Sequence, residues 1–137
     1  MRFYLVVGFS FLAGMCGYIM VRFWILPIGR YRRAKGELLQ RLNDYRKLLP
    51  ADDTAPLQRD RGRKILRDIR RQGVAIVDLH DQELPYWYRL ALLSRKESPE
   101  AATDPILRLE NMPNGGQARK CLEEIGRHLG FRELRTP

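Results

Sequence analysis

The sequence predicts an all-α protein, with a single N-terminal transmembrane helix followed by a small cytoplasmic helical bundle. Three observations carry that fold class. Residues 3–21 contain no charged side chain, and a stretch of 19 such residues is the length a bilayer-spanning helix needs. Beyond residue 28, apolar residues recur three and four positions apart, the period of a helix with one buried stripe. No segment after residue 28 supplies the paired alternating runs that a sheet would need.

The anchor occupies residues 1–28. Extended through Leu26, its apolar run makes about 36 Å of helix at roughly 1.5 Å per residue, enough for a hydrocarbon core of about 30 Å. Arg22 can snorkel to the water side, and Trp24 and Tyr31 suit the interfacial level. A cleaved signal peptide fits poorly, because its core should be shorter and should end in small residues, whereas "RFWILP" follows here. A lipidated cysteine at "LAGMC" fits poorly as well: Met15 precedes Cys16, and the apolar run continues past it. Ser10, Gly14 and Gly17 form a strip of small residues that would admit a close helix partner in the membrane.

Charge placement gives orientation. Residues 29–72 hold 14 Lys and Arg against 6 Asp and Glu, a balance of +8, whereas residues 73–137 hold 9 against 10. Arg30, Arg32, Arg33 and Lys35 follow the span directly, with Arg22 near the same end. Positive flanks stay inside, so the expected location is the plasma (inner) membrane, single-pass signal-anchor, N-terminus outside and C-terminal domain cytoplasmic. The same cluster would lie against anionic lipid head groups, each cation contributing about 1 kcal/mol of attraction. Nucleic acid is not an expected partner, since the cations belong to the membrane-proximal segment and no nucleic-acid-binding motif accompanies them.

Residues 29–49 read as a basic amphipathic juxtamembrane helix. Pro27 lacks an amide hydrogen and is expected either to kink the span or to start this helix. Leu38, Leu42, Tyr45 and Leu49, spaced 4, 3 and 4, make an apolar stripe that Leu39 and Leu48 widen, and such a stripe asks for a partner in cis or in trans. Residues 50–56, "PADDTAP", form a linker.

Residues 57–137 form the small helical domain. A helix over about 57–79 places Ile65, Ile69, Gly73, Ile76 and His80 on one face. The alternative ends it at Gly73 and makes "VAIVDL" a strand. Arg63, Lys64, Arg67, Arg70 and Arg71 spread over its surface together with Arg59 and Arg61. Pro85 opens a short helix in which Tyr86, Trp87 and Tyr88 act as a packing anchor or an exposed contact. Ser98 and Pro99 start the next helix, which "TDP" is expected to interrupt, with Asp104 capping a fresh helix from Pro105. Asn114 and Gln117 form a potential capping box before a final helix whose Ala118, Leu122, Ile125 and Leu129 share a face, with Gly130 at its C-cap.

Chemistry-bearing groups are sparse. His80 sits among Asp78, Asp81 and Glu83, and Cys121, Glu124 and His128 share a helix, but four-ligand zinc sites need more than either group offers. No catalytic, cofactor-binding or metal-binding residue is assigned, and neither a cofactor nor a small-molecule substrate is expected. With two cysteines in dissimilar surroundings, a disulfide framework is not expected either. The sequence points to a non-catalytic accessory, assembly or scaffolding subunit of a larger membrane protein complex. Its expected protein interface comprises Leu38, Leu42, Tyr45, Leu49 and Tyr86, Trp87, Tyr88. A membrane-tethered adaptor that captures a soluble protein through its basic helices is the second reading, and a small helical enzyme the third.

Overall fold

A computed structural model describes residues 2–51 and 59–134. Helix α1 (Arg2–Met20) passes through a π-helical turn (Val21–Ile25) into α2 (Leu26–Leu48), so the chain runs as one helix from Phe3 to Leu48, 46 residues long. Pro27 takes its place in the first turn of α2 and does not end the helix. The reason lies one turn upstream. Leu26 donates its amide to Val21, an i→i−5 bond, and this wider turn accommodates the residue that cannot donate. No break in the backbone therefore separates the apolar segment from the basic one.

Every described side chain from Phe3 to Leu26 is exposed. This helix is long and apolar enough to cross a membrane. Below it α2 becomes part of a bundle with α3 (Arg59–Asp78), α4 (Tyr86–Ser94), α5 (Pro99–Leu109) and α6 (Gly115–His128); a second π turn, Leu79–Glu83, extends α3. Helix α2 packs chiefly on α3, α3 on α5, and α5 on α6, with α2 also touching α6. No strand occurs among the described residues. The strand alternative for residues 74–79 gives way to helix because Ile76 and Ile69 are needed on one face, where both are buried.

The stripe on α2 finds its partner in cis. Leu38, Leu42, Tyr45 and Leu49 are buried in the common core, Tyr31 extends the stripe toward the span, and Leu48, expected to widen it, is exposed instead. Ala118, Leu122, Ile125 and Leu129 are all buried as their spacing implies. At the α3–α5 crossing a Cβ on Gly73 would lie 2.9 Å from Ile106 Cδ1, so only glycine permits this approach unshifted. The linker 50–56 lies, from Asp52 onward, outside the described residues, as do the side chains of Arg59 and Arg61.

Helix ends agree with the sequence more in position than in chemistry. Gly130 has φ +71°, Phe131 donates to Gly126 O at 2.7 Å and Gly130 to Arg127 O at 3.4 Å, the paired bonds of a Schellman ending. Ser98 and Asn114 occupy the N-cap positions of α5 and α6, but neither side chain makes a capping bond, so the capping box with Gln117 does not form. Helix α5 runs unbroken through Pro105. The proline displaces only the bond to Ala101, an exposed residue in the first turns whose carbonyl can face water. Asp104, released from the expected capping role, pairs with Arg108 at 3.6 Å.

Candidate functional site at the foot of the apolar helix

The residues assigned to the membrane interface divide into two groups. Arg22, Trp24, Arg30, Arg32 and Arg33 are exposed around the junction of α1 and α2. Tyr31 and Lys35 turn inward. Tyr31 is 1% exposed and meets Tyr88 edge-to-face at 6.4 Å, so it belongs to the core and not to the interfacial belt. Burial, with Glu97 and Tyr88 adding, holds its phenol well above the ordinary value. Lys35 places its ammonium 2.5 Å from Glu97 and 5.4 Å from the Phe131 ring centre. It thus ties α2 to the loop before α5 and does not stand free beside head groups. On an exposed helix both would belong to the collar, and only long-range partners draw them in.

The aromatic triplet is also divided. Tyr88 packs inward, whereas Tyr86 is 70% and Trp87 49% exposed. Trp87 reaches across to Trp24, with ring centres 6.1 Å apart and planes at 70°. At the same level Arg30 pairs with Glu83 at 3.4 Å. These two contacts set the start of α4 against the foot of the apolar helix. Sequence reasoning had both tryptophans but no signal to join them, since they are 63 residues apart. Ser10, Gly14 and Gly17 are exposed, and a Cβ on either glycine would meet nothing within 4 Å, so this face of α1 is open to a neighbour.

His80 Nδ1 lies 2.8 Å from Asp81, and Glu100 joins them so that ligand atoms of all three fall within 4.8 Å of one another. Glu83 is drawn away to Arg30. Asp81 and Glu100 are exposed, and such acids commonly gather without an ion. Cys121 is buried, and its thiol donates to the carbonyl of Pro105 at 3.0 Å. Burial, reinforced by Glu124, pushes that thiol up to about 11, so it carries no thiolate character near neutrality. A cleft of about 260 Å³ between α2 and α4 is lined by Tyr31, Arg32, Lys35, Arg95 and Glu97 among others, and its carboxylate is already held by Lys35. No family model, curated protein or solved structure matches this chain.

Proposed function

We propose that this protein is a non-catalytic, membrane-anchored accessory, assembly or scaffolding subunit of a larger membrane protein complex. The observation that carries the reading is the unbroken helix from Phe3 to Leu48, bare and apolar in its first half and part of a packed core in its second. Such a pole holds a folded domain at a fixed height and angle to the bilayer, since no flexible joint intervenes. The basic residues that follow the span favour an inner-membrane placement with the bundle in the cytoplasm. The open Ser10–Gly14–Gly17 face supplies a contact for a neighbouring span. The four stripe residues Leu38, Leu42, Tyr45 and Leu49 are occupied within the chain, so a cytoplasmic partner would have to use other surfaces. Further support comes from the reactive groups, several of which are committed to structure: the Cys121 thiol to Pro105, Lys35 to Glu97, Glu83 to Arg30.

The test is mild detergent extraction from native membranes, followed by identification of co-purifying proteins. Stable co-purification with one membrane assembly is the expected result. Recovery as a lone monomer in every detergent and at every salt concentration would sink the reading.

The second reading, a tethered adaptor for a soluble protein, draws on the exposed cations of α3: Arg63, Lys64, Arg67, Arg70 and Arg71. A contact built on these would be charge-dominated and would dissociate as salt rises, whereas a permanent subunit contact would persist.

A further inference from the structure

Helix α4 has one charge in nine residues, Arg89. Its inner face, Tyr88 and Leu92, packs against the core. Its outer face is equally apolar and is bare: Tyr86, Leu90 and Leu93 are 70%, 47% and 60% exposed, with Trp87 beside them. Positions 86, 90 and 93 are four and three apart, so they form one strip along the helix. A helix apolar on both faces is expected where both leave water, and here the chain covers only one.

The surroundings identify what covers the other. Through the Trp24–Trp87 contact the bare face is continuous with the exposed apolar surface of Phe23, Ile25 and Leu26. Arg30 and Glu83 tie the start of α4 to that same level. Arg22, Arg30 and Glu83 line the recess beside Phe23 and Leu26, exposed Arg95 and Lys96 follow α4 in the chain, and α4 itself contains no acid. The Arg89 guanidinium lies 6.0 Å from the Tyr86 ring centre, within cation–π range, and its Nε is buried. Tyrosine and tryptophan at the rim, leucine behind, and a flank whose one acid, Glu83, is paired to Arg30 is the composition of a helix that lies in a lipid interface.

We propose that α4 is a second membrane contact: its Tyr86–Trp87–Leu90–Leu93 face enters the head-group and upper acyl region of the bilayer that α1 crosses, with an anionic phospholipid surface as its occupant. The end nearest Trp24 enters deepest. The inference rests on α1 as a span, and it changes what the bundle is. With α4 seated, the domain is pressed against the membrane by two elements and presents α3, α5 and α6 to the cytoplasm. The exposed aromatics are then removed from the surfaces available to a protein partner.

The chain has two tryptophans, which makes the test direct. Full-length Trp24→Phe and Trp87→Phe chains, each with one tryptophan left, are reconstituted into phosphatidylglycerol–phosphatidylcholine vesicles carrying lipids brominated along the acyl chain. Trp24 emission, read in Trp87→Phe, reports the span; Trp87 emission, read in Trp24→Phe, reports α4. The expected result is that both lose most of their emission to bromines near the head group, and that Trp87 is shielded from aqueous iodide. Adding Leu90→Glu and Leu93→Glu to the Trp24→Phe chain should restore iodide access to Trp87 with an unchanged helical circular dichroism spectrum. Quenched Trp24 with unquenched, iodide-accessible Trp87 would overturn the proposal and leave the span intact. Trp87 shielded from iodide yet untouched by brominated lipid would assign the face to a second copy of the chain and overturn it equally. An unquenched Trp24 would overturn the span reading and, with it, the proposal that rests on it.

Discussion

Lys35 Nζ lies 2.5 Å from Glu97 Oε2, across 62 residues of chain, with the two side chains only 19% and 12% exposed. The pair joins the middle of α2 to the loop that precedes α5. Glu97 has a further tight neighbour, because a Cβ on Gly130 would come within 2.6 Å of its Oε1. Three elements therefore meet at one carboxylate.

Removing one partner should cost more than the pair is worth, because it leaves a charge in a poorly hydrated site. Lys35→Met is expected to destabilise the bundle by about 1–3 kcal/mol, and the Lys35→Met/Glu97→Gln double variant by less than the sum of its single changes. Chemical denaturation of the full chain in micelles measures both. Strict additivity would mean that the pair is an accident of surface geometry.

Two glycines of helical segments should respond oppositely to alanine. Gly36 lies in the exposed middle of α2, where a Cβ would meet nothing within 4 Å. Gly36→Ala is expected to stabilise by about 0.5–1 kcal/mol through chain entropy and helix propensity. Gly126 is buried in α6, and there a Cβ would lie 2.8 Å from Leu134 Cβ and 3.3 Å from the Phe131 carbonyl. Neither neighbour is the free end of a side chain, so Gly126→Ala should cost about 1–3 kcal/mol despite the better propensity of alanine. Thermal unfolding followed by circular dichroism separates the two, and a shift of equal sign at both positions would refute this account.

The contrast between these glycines shows what was legible in the sequence. Periodicity located the helices and nearly all their buried faces, because the stripe on α2 and the face of α6 are each written in a single local segment. The end of α6 was legible too, since Gly130 alone supplies the left-handed residue that the ending requires. Pairings between segments were not. Tyr31 and Lys35 have the look of an interfacial belt until Tyr88 and Glu97 are placed beside them. The capping box at Asn114 failed, and so did the predicted break at Pro105, because tertiary packing decides those local contests. For the candidate site, each tryptophan was visible and their meeting was not; it depends on how α3 and its terminal π turn return the chain to residue 24.

Tyr31 gives a third test. Its hydroxyl oxygen is buried without a hydrogen-bond partner among the described residues. Desolvating that group gains nothing in return, so Tyr31→Phe should leave the bundle as stable as before or up to about 1–2 kcal/mol more stable. Tyr31→Ala should cost about 3–5 kcal/mol through the lost ring and the cavity behind it. A clear loss of stability in the phenylalanine variant would show that the hydroxyl has a partner after all.

Alkaline pH should loosen the bundle through Cys121. Burial, with Glu124 adding, raises its thiol from 9.0 to about 11. Between those values the unfolded chain releases a proton that the folded chain keeps, so the unfolded state gains ground as pH rises. The thiol's contribution is fully present below about pH 9 and is lost on the way to about pH 11, on the order of 2–3 kcal/mol in all. The Tyr31 and Tyr45 phenols are shifted in the same direction by burial, and they continue the loss at higher pH with the same sign. Cys121→Ala is expected to lower stability modestly at neutral pH, since it deletes the bond to Pro105, but to flatten the decline that begins near pH 9. Urea unfolding of the two chains in micelles between about pH 8 and pH 10 reads this directly. Parallel pH profiles for the wild-type chain and the alanine variant would remove Cys121 from the account and leave the tyrosines to carry it.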